Sequence, residues 1–181
     1  MTGSLGRRYA RAMLGLARET GALTSAGEEL ARAANTFTRD DLRGVVLNPG
    51  IAAVSRRAVV GKVVEKLGLS PIVGNLIRLL ADRDRLDVLP DVARAYDELV
   101  DRELGRARVT LRSAQALAPA DLTELEQLAR RLTGASQVIV STEVDPDLIG
   151  GVVLDAAGTV YDGSVKTQLA RLADRMANTG G

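Results

Sequence analysis

Apolar residues recur at helical spacing through the first two-thirds of the chain, and the last third mixes that period with the alternation of strands. Leu5, Tyr9, Ala12, Met13 and Leu16 follow a 3.6-residue repeat, which predicts a first helix carrying them on one face. Gly21 stops it. A second helix is expected from about Ser25 to Thr38 through Leu30, Ala34 and Phe37. The short segment DDLRGVVL ends at Asn48-Pro49-Gly50, because this tripeptide resists helix continuation. A fourth helix, Ile51 to Leu67, is expected to gather Val54, Ala58, Val59, Val63 and Leu67, and Gly68 closes it. Ser70 as N-cap and Pro71 at the first helical position open a short apolar fifth helix. A sixth runs from about Arg85 to Leu104 through Leu89, Val92, Tyr96, Leu99 and Val100, with Pro90 tolerable only in its first turn. Six helices joined by short connections predict a compact bundle over residues 1–104.

After Gly105 the period changes. ARVTLRSA alternates Val109 and Leu111 with Arg108, Thr110 and Arg112, the pattern of a strand. Ala118-Pro119 opens a helix with Leu122, Leu125, Leu128 and Leu132, closed by Gly134. SQVIVSTEV and IGGVVLDAAG read as two further strands, with GTVYD a candidate fourth. A last helix, from Gly163 to about Ala177, places Val165, Leu169, Leu172 and Met176 on one face, and NTGG is expected to fray. The fold class predicted is α+β in two domains: a six-helix bundle, then a small α/β domain over residues 105–181 in the order β-α-β-β-α.

Composition narrows the chemistry. The chain has 181 residues, no Cys, no His, no Trp and one Phe. Disulfides, thiolate catalysis, sulfur-ligated metals and a Ser-His-Asp triad are therefore excluded. Residues 1–104 carry 16 basic and 14 acidic side chains, and residues 105–181 carry 8 and 9. Neither half has the positive excess that nucleic-acid backbones favour, and base stacking lacks aromatic side chains. No apolar run reaches the roughly 18–20 residues that span a bilayer. The first residues hold four Arg and no acid before Glu19, a composition shared with organelle transit peptides. They are read instead as an amphipathic helix, because their apolar positions run into the next helical segment without a cleavage-like break.

Residues 143–165, EVDPDLIGGVVLDAAGTVYDGSV, hold four Asp and four Gly. A calcium loop begun at Asp145 fits at Asp147 and Gly150 but fails at Ile149 and Ala156, where ligands are required. A phosphate cradle needs glycines leading into a helix, and Gly150-Gly151 leads into the strand-like VVLD. Gly61-Lys62 lacks both the first Gly and the Ser/Thr of a P-loop. A scaffold accounts for the stretch. Asp145-Pro146 starts a turn, Leu148 and Ile149 enter the core, and the glycine pair permits a close backbone approach. Asp155–Gly158 turns a hairpin, and the YDGS segment caps the last helix. Spacing alone leaves Asp145 and Asp162 open as a carboxylate pair for a small hydrolase. The Tyr9-Ala10-Arg11-Ala12 face is read either as ordinary core or as a groove for a partner helix; periodicity does not separate the two.

Several blocks follow one another in a familiar order: RRYARAMLGLA, NPGI, NLIRLLADRDRLDVLPDVARAYDEL, SAQAL and VDPDLIGGVVLDAAGTVYDGSV. Together they resemble the delta subunit of bacterial ATP synthase, the counterpart of the mitochondrial oligomycin-sensitivity-conferring protein, over nearly the whole chain. The resemblance implies a non-catalytic stator part without cofactor, metal or nucleic acid. Its six-helix bundle would sit on the catalytic head and bind the N-terminal helix of an alpha subunit. Its C-terminal domain would meet the distal end of the b-subunit stalk, and the joint would resist rotor torque during ATP synthesis coupled to proton transport. The family's groove between first and fifth helices points to Tyr9, Ala12 and Met13, and to Leu76, Ile77 and Leu80. The Arg-rich start of the first helix would steer an acidic partner segment. Some relatives carry this region fused to a b-type transmembrane chain; with nothing hydrophobic before Met1, the free-standing form is expected, peripheral at the cytoplasmic face of a bacterial membrane. The competing class is a general helical adaptor for some other amphipathic helix.

Overall fold

The computed structural model describes residues 2–48, 50–156 and 158–178, with residues 2 and 172–178 by their backbone alone. Two compact units divide at Val100–Asp101, four residues before Gly105. Among the described residues, the first unit is built from α1 (Thr2–Glu19), α2 (Leu23–Phe37), α3 (Asp40–Val46), α4 (Ala53–Lys66), α5 (Pro71–Asp82) and a 3₁₀ turn, Leu86–Val88, that runs into α6 (Leu89–Glu103), whose last three residues fall in the second unit. Pro49, part of the expected turn, lies outside the described residues.

The core of this unit is aliphatic, as a chain with one Phe requires. Leu30, Val60, Val73, Ile77, Leu80, Leu89 and Val92 are buried around Tyr96. The Tyr96 hydroxyl donates to the Leu23 carbonyl at 3.0 Å, which ties α6 to the start of α2. Desolvation, and then the charge of Asp97, push its pKa up to about 12, so it stays a neutral donor. Ser70 precedes α5 but makes no side-chain cap. Its backbone N–H instead donates to Glu29 Oε2 at 2.8 Å, a link from α2 to the head of α5. Arg57–Asp82 at 2.6 Å and Arg56–Asp84 at 2.7 Å fasten α4 to the end of α5 and the turn after it.

Two helices turn a different face inward from the one their periodicity suggests. The buried residues of α1 are Gly6, Ala10, Met13 and Ala17. Leu5 and Tyr9 are half-buried, and Ala12 and Leu16 are exposed. α1 packs through its small residues: a Cβ at Gly6 would stand 2.9 Å from the Cβ of Asp91 on α6. In α4 the buried pair is Val60 and Val64, whereas Val54 is 76% exposed and Ala58 also faces outward. Apolar residues surround α4 on most sides, so their spacing does not select an inner face.

In the second unit, β1 (Arg106–Ser113) leads into α7 (Pro119–Thr133), and β2 (Gln137–Val144) returns parallel to β1, as a crossover helix requires. β3 (Val152–Ala156) and β4 (Thr159–Asp162) follow antiparallel, and α8 (Val165–Asn178) ends the fold. The sheet order is β2-β1-β3-β4. Val109 pairs with Ala156 and Leu111 with Leu154, which sets these four side chains on one face against Ala129 of α7.

The third strand starts at Val152, not at Ile149. Ile149 is 72% exposed and Leu148 is only half-buried, so Ile149 does not enter the core. The rest of the stretch is turn chemistry. Asp145 Oδ1 accepts the Asp147 N–H at 3.0 Å, and Asp155 Oδ1 accepts the Gly158 N–H at 3.1 Å. Asp162 Oδ1 accepts the Ser164 N–H at 2.8 Å, its Oδ2 accepts the Thr167 hydroxyl at 2.7 Å, and buried Ser164 caps the Thr167 N–H. Gly151 has φ +81, and a Cβ there would stand 2.4 Å from the Gly163 carbonyl oxygen. The side chains of Leu172 and Met176 lie outside the described residues, as do Thr179–Gly181.

Two outcomes follow from this wiring. Gly151→Ala meets both a left-handed backbone and a backbone clash, so urea unfolding should show a loss of about 3 kcal/mol. Gly150→Ala, whose Cβ would meet only a Val165 methyl at 3.3 Å, should cost less than about 1 kcal/mol on the same scale. The bonds from the Ser164 N–H first, then from the hydroxyls of Ser164 and Thr167, hold the exposed Asp162 carboxyl below its ordinary 3.8. A depressed carboxyl stabilises the fold above 3.8 and ceases to do so as pH falls through its folded value. In a thermal-unfolding series across acid pH, Asp162→Asn should therefore be less stable than the parent at neutral pH, and the gap should close in strong acid. A gap that stays constant with pH would show that the charge of Asp162 is immaterial.

Candidate docking surfaces

The six residues expected to line a groove fall into two sets. Met13, Leu76, Ile77 and Leu80 are buried, at 7% exposure or less, so they support the surface from beneath and offer little area of their own. Tyr9 is half-buried and Ala12 is exposed. At 100° per residue, Leu5, Tyr9, Ala12 and Leu16 form a continuous stripe along one flank of the buried line Gly6–Ala10–Met13–Ala17. Leu16, at 50% exposure, is the largest apolar residue of the stripe left open.

α5 is arranged in a similar way. Gly74, whose Cβ would meet Val64, and Asp82, paired with Arg57, mark the side that meets α4. Ile72 and Leu79 lie on the opposite flank of its buried line, and Leu79 is 42% exposed. Leu16 and Leu79 were missing from the sequence-based site. The signal that finds them is burial: once the inner face of each helix is known, the remaining large apolar residue on its flank stands out.

The second unit carries its own apolar cleft. Leu125, Leu128 and Leu132 run along the flank of α7 beside buried Ala129, and Leu128 and Leu132 are 39% and 40% exposed. Leu125 and Leu128, with Ile149 and Val152, wall an open cleft of about 590 Å³, charged at its mouth by Asp121, Glu124 and Arg131. A second depression of about 570 Å³ adjoins it through Leu125, Leu128 and Val152 and extends to Tyr161 and Arg171. Val165 and Leu169, on the outer face of α8, are 38% and 54% exposed.

Asp145 and Asp162 are engaged in turns and in the cap of α8, which uses both oxygens of Asp162. Among the described residues no group of three or more carboxylates is placed to hold a metal ion. No helix among them is long and apolar enough to cross a membrane.

Comparison with known proteins identifies the family. The family model described as "ATP synthase delta (OSCP) subunit" matches residues 5–176. The ATP synthase subunit delta of Geobacter sp. (strain M21) is 40% identical over 174 residues, covering 96% of each chain. That of Myxococcus xanthus (strain DK1622) is 38% identical over 173 residues, covering 93% of this chain and 94% of its own. A chain in the cryo-EM structure of the Toxoplasma gondii mitochondrial ATP synthase hexamer has the same fold, with a TM-score of 0.73 at 23% identity over 96% of this chain and 97% of that one. With a family match over nearly its whole length and bacterial relatives at this identity, the chain belongs to the ATP synthase delta (OSCP) subunit family, whose members are non-catalytic parts of the peripheral stalk of that enzyme complex.

Proposed function

We propose that this chain couples the catalytic head of a bacterial ATP synthase to the distal end of its b-subunit stalk and so resists the torque of the rotor. The bundle, residues 1–104 in this reading, receives the N-terminal helix of an alpha subunit, and residues 105–181 receive the b subunit. The observation that carries the first assignment is the exposed stripe on α1, with Tyr9, Ala12 and Leu16 in line beside a fully packed core. An apolar stripe on a well-packed helix is the surface into which an amphipathic helix docks. Leu79 and Ile72 on α5 extend the apolar area available to the same partner. For the second assignment, the two adjoining depressions along Leu125, Leu128 and Leu132 offer an open apolar surface, which suits the end of a helical stalk. Membrane association, at the cytoplasmic face, is then indirect and runs through these partners.

A stator joint works by contact area and stiffness. It needs no general base, no metal and no cofactor, which agrees with a chain that lacks His and Cys.

The test is calorimetric titration of the full chain with a peptide of the N-terminal helix of the alpha subunit from the same organism. Saturable one-to-one binding is expected. Ala12→Trp fills the exposed stripe without touching the core, so it should weaken binding more than about tenfold and leave stability within about 0.5 kcal/mol. Leu76→Ala should do the reverse: a loss of about 2–5 kcal/mol in folding, with affinity nearly kept under conditions where the chain remains folded. Equal binding by the parent and Ala12→Trp would remove α1 from the interface.

A further inference from the structure

The charge beside the stripe is one-sided. α1 carries Arg7, Arg8, Arg11 and Arg18, all exposed, against a single acid, Glu19, at its far end. On the helical wheel Arg8 lies about 40° from Ala12 and borders the stripe, and Arg11 lies about 60° further round, beyond Gly15 and Ser4. Arg83, which follows α5, continues the flank that holds Ile72 and Leu79. Several acids of the same bundle are already neutralised by arginines: Asp82 by Arg57, Asp84 by Arg56 and Asp91 by Arg94. Arg8, Arg11 and Arg83 form no ion pair among the described residues. The docking stripe is thus bordered by positive charge that the fold itself leaves uncompensated.

We propose that the helix seated on α1 has its apolar stripe bordered by carboxylates, and that Arg8 and Arg11 select it by charge during the approach. The proposal rests on the helix-docking reading given above and specifies the chemistry of the partner. Exposed charges at the rim of an interface act on association rate and on choice of partner more than on the lifetime of the complex. Their reach is about 10 Å at an ionic strength of about 0.1 M, so salt removes the effect while the apolar contact persists. A basic or neutral amphipathic helix of equal hydrophobicity would fit the stripe but arrive slowly.

The experiment measures association and dissociation rates of the full chain with two peptides. One is the N-terminal helix of the alpha subunit from the same organism; the other is the same helix with every Asp and Glu replaced by Asn and Gln. For the native peptide the association rate should fall about tenfold between about 20 mM and about 300 mM salt, with dissociation almost unchanged. The amide peptide, and the native peptide with the Arg8→Gln/Arg11→Gln double variant, should both associate slowly and with little salt dependence. Circular dichroism of the double variant should match the parent, since both arginines lie outside the core. If both peptides associate at equal, salt-independent rates while Ala12→Trp still abolishes binding, the docking reading stands and charge selection is wrong. An alpha-subunit helix with no carboxylate beside its apolar stripe overturns it equally. If neither peptide binds the parent chain at all, the docking reading and the charge selection fail together.

Discussion

The close approach of α1 to the rest of the bundle governs the surface this protein presents. α1 reaches the core through Gly6, Ala10 and Ala17, with Met13 as the one large side chain among them. Small residues bring two helix backbones near each other and gain dispersion contacts along their length. They also leave no room for bulk on that line. Leu5, Tyr9 and Leu16 must therefore sit on the flank, where they are covered in part or not at all. The exposed stripe is a consequence of how the helix is packed, and removing Gly6 from beside Asp91 would shift the whole helix and the stripe with it.

The second unit repeats the arrangement with different parts. Ala129, a small residue, marks the line on which α7 meets the sheet, and Leu125, Leu128 and Leu132 are left along the flank. Here the fixed point is the contact of Gly151 with the Gly163 carbonyl, which draws the entrance of β3 against the turn before α8. The acidic residues between these points satisfy backbone N–H groups at turns and at the helix cap, as buried or crowded backbone requires. Three of the four aspartates in this stretch thereby serve as turn and cap residues.

Much of the fold was legible in the sequence because its punctuation is strong. Gly21, Gly68 and Gly134 each end a helix, Pro71 and Pro119 each begin one, and the change of period after Gly105 marks the change from bundle to sheet. The cap of α8 at Asp162 and Ser164 and the hairpin corner at Gly158 were legible for the same reason. The inner face of α1 was not, since periodicity weights residues by hydrophobicity, and Gly6, Ala10 and Ala17 weigh little beside Leu5 and Leu16. α4 failed through excess: Val59, Val60, Val63 and Val64 crowd two faces, and only the tertiary partner decides that Val60 and Val64 turn inward. Ser70 has the right identity for a cap, but the carboxylate of Glu29, distant in sequence, takes the head of α5. Of the expected groove residues, Met13, Leu76, Ile77 and Leu80 lie beneath the surface and Tyr9 and Ala12 upon it, a division that burial shows and the sequence does not.

This division between supporting and contacting residues bears on how such a joint tolerates change. Met13, Leu76, Ile77 and Leu80 fix the position of the helices, so their loss acts through folding and spreads over the whole unit. Ala12, Leu16 and Leu79 are exposed, so changes there bear less on the fold than changes beneath them. In the proposed stator role, holding two other bodies against a turning load benefits from keeping these roles on separate residues. The contact surface then adapts to its partner without loosening the core that keeps it stiff, and one small residue, Ala12, at the middle of the α1 stripe, gives a partner backbone room to come close.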